Sequence, residues 1–113
     1  MKHVKLRSRR PTFKVLLDSA SAQAATMILA PGESTGEPDN EHPKCEQWLY
    51  VVSGRGTVLA GGKRKLIEAG SLVLIEKREV HQVTAAGSEP LVTLNLYVPP
   101  AYTEAGEPKR SAK

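Results

Sequence analysis

At 113 residues with 40% hydrophobic side chains and one cysteine, the chain has room for one core and no internal disulfide, so a reducing, cytoplasmic setting is the expectation. No apolar run approaches the roughly 20 residues of a membrane span, and the basic start (Lys2, Lys5, Arg7, Arg9, Arg10) lacks the apolar stretch of a secretory signal. The net charge of +4 does not mark a nucleic-acid protein, because residues 1–10 contribute +5 and residues 101–113 +1, leaving ten acidic against eight basic side chains over residues 11–100.

Along the chain the hydrophobic period is two, not 3.6. After a basic segment over residues 1–12, strands are predicted at 13–17 and 24–30. Between them, 18–25 is the only helical candidate, and it is too short and Ser-rich to stand alone. Residues 31–43 form a long loop, and loops of that length inside compact domains are often functional. Further strands are predicted at 47–52, 56–60, 63–67, 72–75, 80–84 and 91–98. Ser53-Gly54-Arg55-Gly56 and Ala60-Gly61-Gly62-Lys63 are tight hairpin signals, with a longer connection over 86–90. About eight short strands over 13–100, followed by a tail over 101–113, predict an all-β sandwich or barrel.

The residues able to carry chemistry gather on the long loop and the strand after it. Strand alternation lets Asn40 and His42 share one face, Gln47 opens the next strand, and His81 lies on another. In a closed barrel these four can converge. Imidazole suits Zn, Cu, Fe or Ni, and an amide oxygen is a weaker donor. Asp39 and Glu41 alternate to the other face, and a one-residue slip would bring them in instead. Two readings stay open. In one, His42 and His81 hold a metal; in the other they are pocket histidines hydrogen-bonded to Gln47. Cys45 has no base and oxyanion donors legible around it and reads as a structural thiol. His3 reads as a solvated residue of the basic segment.

These residues resemble the motifs of a small single-domain cupin. Pro31-Gly32, Asn40-Glu41-His42, Gln47 and Gly54 stand where the first motif has Pro-Gly, His-x-His, Glu and Gly. Ala69-Gly70, Ile75-Glu76 and His81 match the second motif, and Tyr97-Val98-Pro99-Pro100 matches the strand ending of many small cupins. Asn40 replaces a histidine and Gln47 a glutamate, and the loop after Gly32 runs two residues longer. Some cupins that act on unsaturated sugar acids also use glutamine there, preceded by glutamate as in Glu46-Gln47. The resemblance implies a jelly-roll, or double-stranded β-helix, barrel. It also implies a divalent metal (Zn, Ni, Mn or Fe) held by Asn40, His42, Gln47 and His81. The implied function is metal-dependent chemistry on a small polar metabolite such as a sugar acid. The alternative is a non-catalytic binding or sensing cupin whose metal site is degenerate or empty. No general base is identifiable. The usual ligand set carries one negative charge and this one none, so weak metal retention is expected and Gln47→Glu should tighten it.

Trp48 and Tyr50 alternate with Gln47, so an inward Gln47 sends both aromatics outward. That exposure, together with the dimers common among small cupins, predicts a homodimer through the Trp48/Tyr50 face. On the last strand Thr93, Asn95 and Tyr97 share one face, and Val92, Leu94 and Leu96 the other. Whichever turns inward sets the polarity of the ligand.

Overall fold

The computed structural model describes residues 1–35 and 45–103. They form eight strands: β1 (Thr12–Asp18), β2 (Gln23–Leu29), β3 (Glu46–Ser53), β4 (Arg55–Ala60), β5 (Lys63–Glu68), β6 (Leu72–Ile75), β7 (His81–Ala86) and β8 (Leu91–Val98). No helix occurs among the described residues. The helical candidate at 18–25 is instead a turn, in which Ser19 Oγ accepts from the amides of Ser21 and Ala22, followed by the start of β2. Short polar side chains that bond their own backbone favour turns over helix.

The strands make two antiparallel sheets. One has five strands in the order β1-β2-β8-β3-β6, the other three in the order β5-β4-β7. Residues 32–35 run beside β7, with Thr35 N–H on the Val83 carbonyl and a bridge between Ser34 and Thr84. The two sheets face each other as a jelly roll, and the period-two pattern supplies the buried side. On β3, Gln47, Leu49 and Val51 are buried while Trp48, Tyr50 and Val52 are exposed. Leu49, Val51, Met27, Leu29 and Leu91 of the larger sheet meet Val58, Ile67, Val83 and Ala85 of the smaller. Each such aliphatic side chain larger than Ala contributes about 1.5–3 kcal/mol on burial.

One of the two tight hairpin signals does what its sequence suggests. Gly61 and Gly62, with φ of +56° and +76°, close β4 onto β5 with Ala60 opposite Lys63, as a turn needing two positive φ values requires. The other does not make a hairpin. Across Ser53-Gly54-Arg55-Gly56 the chain leaves the larger sheet for the smaller, and β3 pairs with β6 and β8 rather than β4. Gly54 is required there, with φ +82° and a backbone so close to Pro90 that a Cβ would overlap its carbonyl. A turn residue signals a change of direction and does not specify which strand comes to pair.

Both ends of the described residues lie against the barrel. Lys2 Nζ donates to the Asp18 carbonyl at 2.9 Å and Arg9 Nη1 to Ser53 Oγ at 3.3 Å, with Leu6 half-buried between them. At the other end, the buried Gln23 side chain acts as a strand partner for residues 101 and 102. Its Nε2 donates to the Tyr102 carbonyl at 2.7 Å, and its Oε1 accepts from the amides of Ala101 (3.2 Å) and Tyr102 (3.0 Å).

Candidate metal and ligand site

The barrel opens on a cavity of about 450 Å³ that both sheets line. Gln47 reaches it from β3 and His81 from the first position of β7. Each is about 3% exposed, so two of the four residues expected at the site do share it. Asn40 and His42, with Asp39 and Glu41, lie outside the described residues. The described chain stops at Thr35, whose backbone is bonded to Val83 two residues from His81. It resumes at Cys45, two residues before Gln47. Both flanks of the motif segment therefore lie beside the site.

A one-way chain of hydrogen bonds fixes the Gln47 amide. The Met27 carbonyl can only accept, so Thr93 Oγ1 donates to it, at 2.7 Å. With its proton spent, Thr93 Oγ1 accepts from Asn95 Nδ2 at 2.9 Å. Asn95 must then turn Oδ1 toward Gln47, and Gln47 answers with its Nε2 donor at 2.9 Å. Gln47 Oε1 is left buried with no hydrogen-bond partner among the described residues. This polarity follows from which groups can donate, and it makes position 47 an acceptor oxygen.

His81 is held comparably. Its Nδ1 lies 3.2 Å from the Glu79 carbonyl, so Nδ1 carries the proton and the lone pair of the neutral ring sits on Nε2. Burial pulls the imidazole below its ordinary range, against smaller upward contributions from the Glu79 carbonyl and carboxylate. The ring is therefore neutral at pH 7, the form that binds metals. Among the described residues no cluster of three or more His, Cys, Asp or Glu forms. Gln47 and His81 are neutral donors and fit half of a four-ligand divalent site of the kind the sequence suggests.

The inward face of β8 is the polar one. Thr93 and Asn95 are buried and Tyr97 lines the cavity, while Leu96 is exposed. The rest of the lining is more apolar than the sequence motifs suggest. Phe13, Tyr97 and Tyr102, three of the five aromatic residues in the chain, pack with ring centroids 4.6 Å (Phe13–Tyr102) and 4.9 Å (Tyr97–Tyr102) apart. Met27, Leu29 and Val83 extend that wall. Tyr97 and Tyr102 are hydrogen-bonded to each other, and both stay protonated. Burial raises Tyr97 well above its ordinary range, with Tyr102 and Cys45 adding. Burial also pushes Tyr102 up to about 12, against the hydrogen bond from Tyr97. Cys45 packs into this cluster with Ala25 and Tyr97. Burial raises its thiol, with Lys77 opposing and Glu46 adding, which is the environment of an unreactive thiol.

The aromatic wall and the Thr93–Asn95 chain were not among the expected site residues. The shared face of Thr93, Asn95 and Tyr97 was legible as period two. Tyr102 was not, because its place depends on Gln23, 79 residues away.

Residues 25–97 match the family model of the cupin domain. No curated protein matches the chain. Among solved structures, a Bacillus halodurans protein is similar at 26% identity and a TM-score of 0.80, covering 91% of this chain and 78% of its own. KdgF of Halomonas sp. is similar at 23% identity and a TM-score of 0.70, covering 78% and 77%. An RmlC-like cupin family protein of Methanocaldococcus jannaschii with a double-stranded β-helix fold is 15% identical, with a TM-score of 0.73 and coverage of 86% and 87%. Two facing antiparallel sheets, with Gln47 and His81 at their motif positions in one cavity and a family match across most of the strands, establish that the chain belongs to the cupin family.

Proposed function

We propose that the barrel mouth holds a divalent metal through Gln47 Oε1 and His81, and beside it a small oxygen-bearing metabolite lying against the Phe13–Tyr97–Tyr102 wall. The observation that carries this reading is the buried Gln47 Oε1, unpartnered among the described residues, in the cavity it shares with a neutral imidazole. A buried acceptor without a donor costs about 1–3 kcal/mol, and a cation or a ligand donor removes that cost. When bound, a divalent ion supplies Lewis acidity toward a carbonyl or enol oxygen. The chain's own residues position the ligand. Asn95 and Thr93 aim the amide, the Glu79 carbonyl fixes the His81 tautomer, and the apolar wall excludes water. Cavity size and a half-apolar lining favour a metabolite with one polar, oxygen-rich end, such as a sugar acid or a related acid.

A second reading, binding without turnover, is favoured by the titrating groups of the described lining other than His81. Glu33 is tied to the Ala30 amide at 2.9 Å, and both tyrosines keep their protons. Neither arrangement is that of a poised general base. Metal content of tag-free protein, with titration of Zn, Ni and Mn into chelator-treated protein, tests the first reading. Wild type should take up metal at pH 7.5, and His81→Ala should weaken uptake roughly tenfold or more. Wild type that takes up no metal at pH 7.5 would refute it and leave the second reading standing.

A further inference from the structure

Strand β5 ends the smaller sheet, and the described residues leave its outer edge without a partner strand. Which backbone groups face that edge follows from the turn before it. Gly61-Gly62 closes a two-residue hairpin on the pair Ala60–Lys63. Residues flanking such a turn exchange hydrogen bonds, and every second pair along the ladder does the same. Lys63, Lys65 and Ile67 therefore turn their backbone groups to β4, and Arg64, Leu66 and Glu68 turn theirs outward. Glu68 bears this out, because its amide donates to Ser71 Oγ at 3.0 Å and its carbonyl accepts from the Ser71 amide at 2.8 Å. The N–H and C=O groups of Arg64 and Leu66 are left as an open ladder. Side chains add a second signal. Lys63 and Lys65 share the face of the buried Ile67 and stand exposed beyond the core, while Arg64 and Leu66 project from the other face. Among the described residues none of the three cations is ion-paired. Leu66 is 86% exposed, more than any other large apolar side chain in the eight strands. Beside it lies a hollow of about 350 Å³ walled in part by Arg55, Glu68 and Ala86. Lysines on an edge guard against pairing between copies of one chain, since cation would meet cation. A bare leucine in the same strand works against such protection, so protection alone does not account for it.

We infer that β5 is a docking edge for an extended acidic segment of another protein, added as a further strand of the smaller sheet. The main chain of Arg64 and Leu66 supplies the ladder, and the side chains set the sequence it accepts. Opposite charges attract across neighbouring strands on one face, so carboxylates two residues apart on the segment meet Lys63 and Lys65. The residues between them turn to the other face, where an apolar side chain packs on Leu66 and into the hollow beside it. The fitting segment thus alternates acidic with apolar residues. In such an added strand, backbone pairing gives affinity and alternate side chains give specificity. A nucleic acid would use the three cations and neither the ladder nor Leu66.

Fluorescence anisotropy of a short labelled peptide alternating Glu with Val, titrated with the full chain at low salt, tests this. Binding should saturate below several hundred micromolar, and a peptide with Lys in place of Glu should bind at least about tenfold more weakly. Lys65→Glu should weaken binding of the acidic peptide about tenfold. Leu66→Pro removes an outward donor and no bond to β4. It should therefore bind about fivefold more weakly than Leu66→Ala, with the far-ultraviolet spectrum unchanged. Alternate amides of the added strand face β5, so N-methylating the peptide's glutamates or its valines should abolish binding in one case and spare it in the other. That comparison uses the wild-type chain and stands whatever Leu66→Pro does to the fold. Absence of saturable binding overturns the inference. Equal binding of the two methylated peptides overturns strand addition. So does an oligouridylate that binds as tightly as the acidic peptide and responds to Lys65→Glu but not to Leu66→Pro, which would make the edge a site for polyanions.

Discussion

Replacing Gln47 by glutamate tests whether the hydrogen-bond chain behind the site selects an amide. In metal-free protein the new carboxyl takes the place of the Nε2 donor that now meets Asn95 Oδ1 at 2.9 Å. Protonated, it still donates to Asn95 and little is lost. Ionised, it sets acceptor against acceptor in a position 3% exposed, and both burial and the lost bond raise its pKa. The folded state then holds a proton that the unfolded chain releases near pH 4.3. Stability relative to wild type should therefore fall as pH rises above that value, by about 1.4 kcal/mol per unit. Rotation of the Asn95 amide limits the loss. That rotation breaks the Asn95 Nδ2 to Thr93 Oγ1 bond, because Thr93 is committed as a donor to Met27, and leaving one buried pair unmade costs about 1–3 kcal/mol. The destabilisation should thus plateau at ~1–3 kcal/mol by neutral pH. Urea denaturation of chelator-treated wild type and Gln47→Glu at pH 4 and pH 7.5 measures it. Thr93→Val frees Asn95 to turn, so the glutamate penalty should shrink by about 1 kcal/mol in that background. Equal penalties at both pH values would refute the one-way chain. Added Zn or Ni should reverse the penalty at pH 7.5, because the carboxylate then faces a cation.

Residues 101 and 102, which strap the chain back onto Gln23, and the histidine give two further tests. Gln23→Ala removes the three hydrogen bonds that hold residues 101 and 102. At roughly 0.5–1.5 kcal/mol each, their loss should release the strap and speed amide exchange at Ala101 and Tyr102 while β2 and β8 stay protected. His81 has a folded-state pKa below its unfolded value of about 6.5, so the unfolded chain binds the extra proton between the two values. Its contribution to stability should be whole above about pH 6.5 and decline as pH falls through that window. His81→Ala should flatten that part of the pH profile, read from urea midpoints of metal-free protein.

The fold was legible because strands such as β3 and β7 alternate a buried face with a more exposed one. Alternation along residues 47–52 and 91–98 fixed which residues of β3 and of β8 share a face, and an inward Gln47 then sends Trp48 and Tyr50 outward; which face of β8 turns inward stayed open until the fold showed it. Pairing was less legible. The Ser53–Gly56 signal is as strong locally as the Gly61–Gly62 turn, but Gly54 serves a close approach to Pro90, 36 positions along the chain. The same division runs through the site. Gln47 and His81 could be placed from local motifs, since each stands in the first two residues of a strand whose phase is set by its neighbours. What those residues present to the cavity could not be placed that way. The orientation of the Gln47 amide is decided by a carbonyl on β2, a hydroxyl and an amide on β8, and the direction in which protons must point between them. Only the fold brings those groups together. Glutamine at a position where the family has glutamate reads in sequence as the loss of a ligand's charge. In the structure it is the residue that Thr93 and Asn95 can serve. A chain with glutamate at that position should therefore carry a different group opposite it, one with a donor to spare.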